Sequence, residues 1–288
     1  MHGIAPPLVT PFTEDGDLDT DRLRQLVGWL EDRGVHFLVP CGSTSEAELM
    51  TFEERVSTIE AVAEEASVPV LAGCGHPGYR ETNASIEAAA EAGADGAMIV
   101  TPFYYNHDQA TLAAYYRDMA DDAALPIYLY SVPIFTDVTL EPDTVGDLAT
   151  HPNIVGMKDS LGDLGSFIQT VNRTETEEFQ LMTGSTNLLT AGMETGGTGA
   201  ILALANLAPE GAVEVFEHLD DEPAWAHERT AQLVELNAIA PGTFGIPGLK
   251  WAMRERGAPA GFARRPFTPS EQPAKTAIRD HLETLNLV

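Results

Sequence analysis

Three features of this 288-residue chain predict an α/β fold, a closed (β/α)8 TIM barrel with a C-terminal helical extension. Eight short apolar runs alternate with amphipathic stretches of helical period. The runs recur every 20 to 35 residues or so, the length of one strand plus one helix. No Gly-x-Gly-x-x-Gly turn follows the first run, which disfavours a doubly wound dinucleotide-binding sheet. A chain of this length buries roughly 75% of its unfolded surface, enough for one large core.

The first run is Ile4–Phe12. After it, Leu23, Leu26, Val27 and Leu30 fall at i, i+3, i+4 and i+7 with charges between them, the apolar face of a helix. Gly34 stands where a helix C-cap belongs, just before the second run, Phe37–Cys41. Thr51-Phe-Glu-Glu54 opens the next helix as a capping box, Thr51 and Glu54 satisfying each other's free backbone donors. The third run is Pro69–Cys74, and Gly93 caps the helix before the fourth, Ala97–Thr101. Ile127–Val132, Ile154–Lys158, Gln180–Thr183 and Ala200–Leu204 complete the set. Beyond Ala205 no strand-like run returns, and helices are expected near Ala224–Ile239, Leu249–Arg256 and Ala274–Leu285. The expected division is a catalytic barrel over residues 1–222 with a helical extension, 223–288, packed on it.

Sixteen Lys and Arg stand against forty-four Asp and Glu, a net charge of −28. Such a surface repels phosphates, so neither nucleic acid nor an anionic membrane is an expected partner. At 44% hydrophobic the chain is not of disordered composition. No apolar run approaches the roughly 20 residues that span a bilayer, and MHGIAPPLVTPF lacks a basic secretory n-region. A cytoplasmic location is expected, with Cys41 and Cys74 reduced and read as small buried side chains. The histidines and cysteines show no His-x-x-x-His or Cys-x-x-Cys spacing, so no metal is expected. Gly196-Gly-Thr-Gly199 precedes the last run and so lies at the bottom of the barrel, away from where a phosphate cradle belongs.

Reacting groups in such a barrel sit at the C-terminal ends of strands. Those ends read Cys41-Gly-Ser-Thr-Ser-Glu46, Thr101-Pro-Phe-Tyr-Tyr-Asn106, Tyr128-Leu-Tyr-Ser-Val-Pro133, Gly156-Met-Lys-Asp-Ser160 and Thr183-Gly-Ser185. Lys158 is one of only three lysines, with Lys250 and Lys275. Alternation puts Ile154, Gly156 and Lys158 on one face. Burial disfavours an ammonium, and a neutral amine attacks ketones to form a Schiff base. The competing reading is a strand-end lysine paired with Asp159. Tyr130 shares a face with Tyr128; it is either a proton shuttle beside an imine or a core tyrosine with a satisfied hydroxyl. Ser43 and Thr44 lie in a turn whose backbone donors could hold a carboxylate, or which merely joins strand to helix.

Together these residues resemble the dihydrodipicolinate synthase / N-acetylneuraminate lyase superfamily of class I pyruvate aldolases, over essentially the whole chain. Gly42-Ser-Thr-Ser-Glu46 is similar to that family's Gly-Thr-Thr-Gly-Glu, Tyr130-Ser-Val-Pro133 to its Tyr-Asn-Val-Pro, and Gly156-Met-Lys-Asp-Ser160 to its Gly-x-Lys-Asp-Ser. The resemblance implies that Lys158 forms the imine with a small-molecule 2-oxo acid, with no separate cofactor. It makes Tyr130 the proton shuttle, with Ser43 and Tyr105 as its hydroxyl relay and Tyr104 as the competing register. Ser43 and Thr44 would grip the substrate carboxylate, Ile201 would wall the pocket, and Ser185 is a further binding candidate. A homotetramer is the family habit.

Two departures matter. Ser45 replaces the usual glycine of the turn. Phe135 stands where dihydrodipicolinate synthases carry an arginine, and a phenyl ring cannot clamp a carboxylate. The expected reaction is therefore reversible cleavage of a 2-keto-3-deoxy sugar acid to pyruvate and an aldehyde, as in archaeal-type 2-keto-3-deoxygluconate aldolases. The basic residues of archaeal relatives that accept phosphorylated substrate are not clearly preserved near His107 or Thr243, which favours the unphosphorylated acid. Alternatives on the same imine are dihydrodipicolinate synthase, N-acetylneuraminate lyase or a keto-deoxy sugar acid dehydratase; from another class, a non-catalytic 2-oxo-acid binding protein.

The acids are spread over helix-like segments such as Glu53-Glu54 and Asp121-Asp122, a coat that self-repels in dilute buffer and tolerates abundant counterions. Salt adaptation follows. The melting temperature is expected to rise between low and molar KCl; a curve unmoved by salt removes this reading.

Overall fold

The computed structural model describes residues 1–288. Seven parallel strands, β1 (Gly3–Ala5), β2 (Leu71–Gly73), β3 (Gly96–Val100), β4 (Ile127–Ser131), β5 (Ile154–Asp159), β6 (Gln180–Thr183) and β7 (Gly199–Ile201), lie in the order β1-β7-β6-β5-β4-β3-β2. The Phe37–Cys41 run closes this sheet into a ring. On one side Val39 N–H donates to Pro6 and Leu8 N–H to Val39; on the other Leu38 N–H donates to Pro69 and Leu71 N–H to Leu38, all at 2.9–3.2 Å. The expected eight staves are present, but this one pairs only through isolated bridges. The cause is proline: Pro6, Pro7, Pro40 and Pro69 flank the seams and offer no N–H to a longer ladder.

The same residues correct the expected extents. The first run holds strand geometry only over Gly3–Ala5, and the last stops at Ile201 before a 3-10 turn, Ala203–Asn206. Asn206 stands in for the missing ladder there. Its amide donates to Pro7 O at 2.8 Å and accepts from Val9 N–H at 3.0 Å, both buried.

Helices α1 (Thr20–Glu31), α2 (Phe52–Glu65), α3 (Tyr79–Glu91), α4 (Gln109–Asp122), α5 (Pro133–Thr136), α6 (Pro142–Ala149), α7 (Leu164–Thr174), α8 (Leu189–Glu194) and α9 (Pro209–His218) accompany the strands. α1 buries Leu23, Leu26, Val27 and Leu30, the stripe its spacing predicts. The capping box forms, with Glu54 N–H to Thr51 Oγ1 at 3.2 Å and Thr51 N–H to Glu54 Oε2 at 2.9 Å. Gly34 and Gly93 take the positive φ of helix-terminating residues. The chain ends in α10 (Pro223–Asn237), α11 (Phe244–Glu255) and α12 (Gln272–Thr284). α11 starts ahead of the expected Leu249 and is kinked at Gly245, where the backbone is non-helical. No helix is long and apolar enough to cross a membrane.

Two apolar layers result. Ala5, Phe37, Val39, Leu71, Met98, Tyr128, Tyr130, Val132, Met182 and Ile201 fill the barrel. A larger outer cluster lies between strands and helices and runs on through Leu249, Trp251 and Met253 to Ile278 and Leu282. Each fully buried Val, Leu, Ile, Met or Phe among them stabilises the fold by about 1.5–3 kcal/mol.

Alternation along β5 is not the simple one expected. Ile127 pairs with Ile154, but the next pair is Tyr128 with Gly156, so Val155 is an extra residue. Ile154 therefore belongs to the outer layer, while Gly156 and Lys158 face inward with Tyr128 and Tyr130. Gly156 must be glycine: a Cβ there would lie 2.7 Å from the Tyr128 ring.

Candidate active site

Tyr130 and Lys158 sit opposite each other on β4 and β5, both buried. The Lys158 Nζ lies 4.4 Å from the centre of the Tyr130 ring. No ion pair of the chain includes Lys158. The Asp159 carboxylate accepts from Leu161 N–H at 2.8 Å instead, and burial pushes its pKa up. The reading of Lys158 as half of a structural pair with Asp159 therefore fails.

The two barrel tyrosines divide in the same way. Tyr128, deeper in the barrel, donates to Gln180 Oε1 at 2.6 Å and accepts from the amino terminus at 3.0 Å. Burial pushes its pKa up to about 12, so it is a settled core phenol. Tyr130 has no hydrogen-bond partner in the chain and lines a cleft with Cys41, Gly42, Ser43, Met98 and Val100.

That cleft is floored by the turn after Cys41. Gly73 allows the turn to approach, since a Cβ there would meet the Cys41 carbonyl oxygen at 2.1 Å. Ser43 and Thr44 begin a single 3-10 turn, Ser43–Ser45. Their N–H groups find no acceptor in the chain, which leaves the donor pair a carboxylate needs. Ser45 secures this turn in place of the usual glycine. Its buried hydroxyl accepts from Gly42 N–H at 3.0 Å and donates to Leu8 O at 2.5 Å.

Glu46 ends the turn at φ 60°, ψ 34°, a left-handed conformation uncommon for glutamate. Both carboxylate oxygens are held. Lys250 Nζ donates to Oε1 at 2.5 Å and Arg264 N–H to Oε2 at 2.7 Å. Lys250 spends its other two donors on Thr10 O at 2.6 Å and Phe262 O at 2.7 Å, which saturates an ammonium. Burial pushes its pKa down to about 8, against the pull of Glu46. Arg264 also grips Glu54 with two bonds of 2.6 Å. The C-terminal helices and the loop between them thus hold the turn from behind. Sequence reasoning missed this, although Lys250 was visible as one of three lysines.

Gly184 is another residue the sequence did not single out. A Cβ there would lie 1.9 Å from Ser160 Oγ and 3.0 Å from Lys158 Cε, so glycine reserves the space beside the amine. Ser185 follows it, partly buried and beside Gly162. Ile201 is buried in the same inner layer as Tyr130. Cys41 and Cys74 are buried free thiols, and burial pushes Cys41 up to about 12, away from reactive thiolate.

The expected relay is not assembled within one chain. Tyr105 is 68% exposed and Tyr104 86% exposed; the two rings pack edge to face at 5.0 Å, and neither hydroxyl bonds Tyr130 or Ser43. Tyr104 alone of the two carries a positive φ, 79°, a strained state for a bulky side chain. Phe135 and Ile134 project from α5, also exposed, and α5 carries no basic residue.

A model of the Dihydrodipicolinate synthetase family matches residues 1–285. A 4-hydroxy-tetrahydrodipicolinate synthase of Methanothrix thermoacetophila is 35% identical over 288 residues, covering 99% of this chain and 97% of the relative. An uncharacterized DapA-like lyase of Halobacterium salinarum is 36% identical, covering 100% and 95%. The crystal structure of YagE, a prophage protein of the dihydrodipicolinic acid synthase family from E. coli K12 in complex with pyruvate, superposes with a TM-score of 0.94 at 30% identity, covering 100% and 99%.

Replacing Lys250 with Met strands a buried carboxylate at Glu46. The expected loss is about 3–5 kcal/mol of unfolding free energy in urea titration, largely recovered when Glu46→Leu is added. A single variant as stable as the parent would mean that the pair does not hold the turn.

Proposed function

Because the chain belongs to the dihydrodipicolinate synthetase family, whose members are carbon–carbon lyases working through a lysine Schiff base with pyruvate, we propose that Lys158 is its imine-forming residue. The observation that carries this is the pairing of an amine free of any carboxylate with a phenol free of any hydrogen bond, side by side in the barrel. The Ser43 and Thr44 N–H groups bind the substrate carboxylate, with Ile201 and Ser185 bounding the pocket.

Lys158 Nζ attacks the C2 ketone of a 2-keto-3-deoxy sugar acid and water leaves, giving an iminium. Tyr130, having given its proton to the carbinolamine hydroxyl that leaves as water, takes the C4 hydroxyl proton as a phenolate while the C3–C4 bond breaks, and that electron pair moves into the iminium. The aldehyde departs. The remaining enamine is protonated at C3 and hydrolysed to pyruvate, freeing the amine. The phenyl ring of Phe135 and the lack of any basic residue on α5 favour a neutral hydroxylated partner over one held by its carboxylate. Relatives called 4-hydroxy-tetrahydrodipicolinate synthase favour a second reading, condensation of the pyruvate enamine with an amino-acid semialdehyde. A homotetramer would cover the exposed Tyr104, Tyr105 and Ile134, and Tyr104, with its strained backbone, is the better relay phenol.

Borohydride reduction in the presence of pyruvate is expected to fix one adduct on Lys158, located by peptide mass spectrometry; an unmodified Lys158 sinks the mechanism. 2-Keto-3-deoxygluconate should then yield pyruvate and glyceraldehyde. A dehydrated 2-oxo acid would identify a dehydratase instead, and a heterocycle formed only from pyruvate plus aspartate semialdehyde would establish the second reading. An adduct with no turnover of any of these leaves a binding protein. Tyr130→Phe should slow cleavage by about 100- to 10,000-fold while the adduct still forms, and near-normal turnover takes Tyr130 out of the reaction.

A further inference from the structure

A second cleft, about 450 Å3 in volume, opens between α11, the loop through Phe262 and Phe267, and the start of α12. Its charge runs against that of the molecule. Ten of the sixteen Lys and Arg side chains are ion-paired with a carboxylate. The six without one are Arg33, Arg80, Lys158, Arg254, Arg265 and Lys275. Three of these six, Arg254, Arg265 and Lys275, line this one cleft, where Glu14 is the only acid. With forty-four acids available to sixteen bases, a cluster of unpaired cations is not what indiscriminate pairing gives.

Arg254 is aimed rather than free. Its guanidinium donates to the Gly261 carbonyl and stacks 4.8 Å from the centre of the Phe262 ring. Burial pushes its pKa down, and Arg22 nearby acts in the same direction; Glu255, which opposes them, is engaged by Arg279. A half-buried cation of this kind gains from any anion that reaches it. Trp251, Phe262 and Phe267 give the same cleft a flat aromatic lining, and Phe267 is 38% exposed.

From this combination we infer that the cleft binds a phosphate-bearing organic anion with a planar ring, the cations taking the phosphates and the aromatic side chains the ring. The site is separate from Lys158, since none of its lining residues is shared with the cleft that contains Tyr130.

The probe is magnesium-free ATP, titrated calorimetrically into the full chain, with pyrophosphate supplying charge without a ring and adenosine a ring without charge. ATP should bind one to one, more tightly than pyrophosphate, with adenosine undetected. Arg265→Ala/Lys275→Ala should weaken ATP at least tenfold with an unchanged urea unfolding curve. Lys158→Ala should bind ATP as the parent does, which separates this site from the proposed imine chemistry. No binding of either phosphate, or binding unaffected by the double variant, overturns the site. Equal affinity for ATP and pyrophosphate overturns the planar-ring assignment. Sedimentation of the parent and the double variant without ATP checks one further outcome: if the double variant changes the oligomeric state, the cleft is an interface between copies and the inference is wrong.

Discussion

One buried ion pair fixes the relation between the barrel and the helices that follow it. Lys250 reaches Glu46 from α11 with neither side chain exposed, and the same ammonium ties down the chain after β1 through Thr10 and the C-terminal loop through Phe262. Three segments distant in sequence meet on one nitrogen. A buried pair of this kind contributes little net stability against an apolar replacement, because desolvation offsets most of the attraction. What it supplies is position. It sets the left-handed Glu46, and Glu46 sets where the Ser43 and Thr44 N–H groups point. The geometry of the cleft is thus anchored from outside the barrel.

The polar economy of the molecule follows the same logic. Side chains with complete hydrogen bonding, such as Tyr128, Ser45 and Asn206, hold the scaffold. Lys158, Tyr130 and the N–H pair of the turn keep open valences at the mouth of the barrel. In a native interior polar groups are nearly always satisfied, so a contrast between the two neighbouring barrel tyrosines is informative. It also lifts Tyr130 above Tyr128, which periodicity alone treats as equivalents.

Much of this was legible in the amino-acid order. Local rules predict the α1 stripe, the Thr51–Glu54 box, the Gly34 and Gly93 caps, and the alternation of runs that implies a barrel; each depends only on neighbours within a turn or two. Lys158 stood out because lysine is scarce. What failed was whatever depends on tertiary partners. The bulge at Val155 is set by register against β4, so Ile154 was assigned to the wrong face. Seams built on prolines look like strands in an apolar count but cannot ladder. Glu46, Lys250 and Gly184 take their roles from residues up to about two hundred positions away, and no window along the chain contains both halves. The Tyr105 relay rests on likeness alone, and in a single chain its loop points both phenols to solvent.

The extra residue in β5 has a consequence for how the chain can change over time. A strand reads like a two-letter frame, in which one insertion ordinarily turns every later side chain inside out. Val155 already absorbs one such shift. Downstream of it, Gly156 and Lys158 are phased by their pairing with Tyr128 and Tyr130, not by the count from the preceding helix. A change in the length of α6 or its loops would thereby leave the orientation of the Lys158 amine unaltered. The Lys158 amine is indexed to its neighbour across the sheet, and the chain before it is left free to drift.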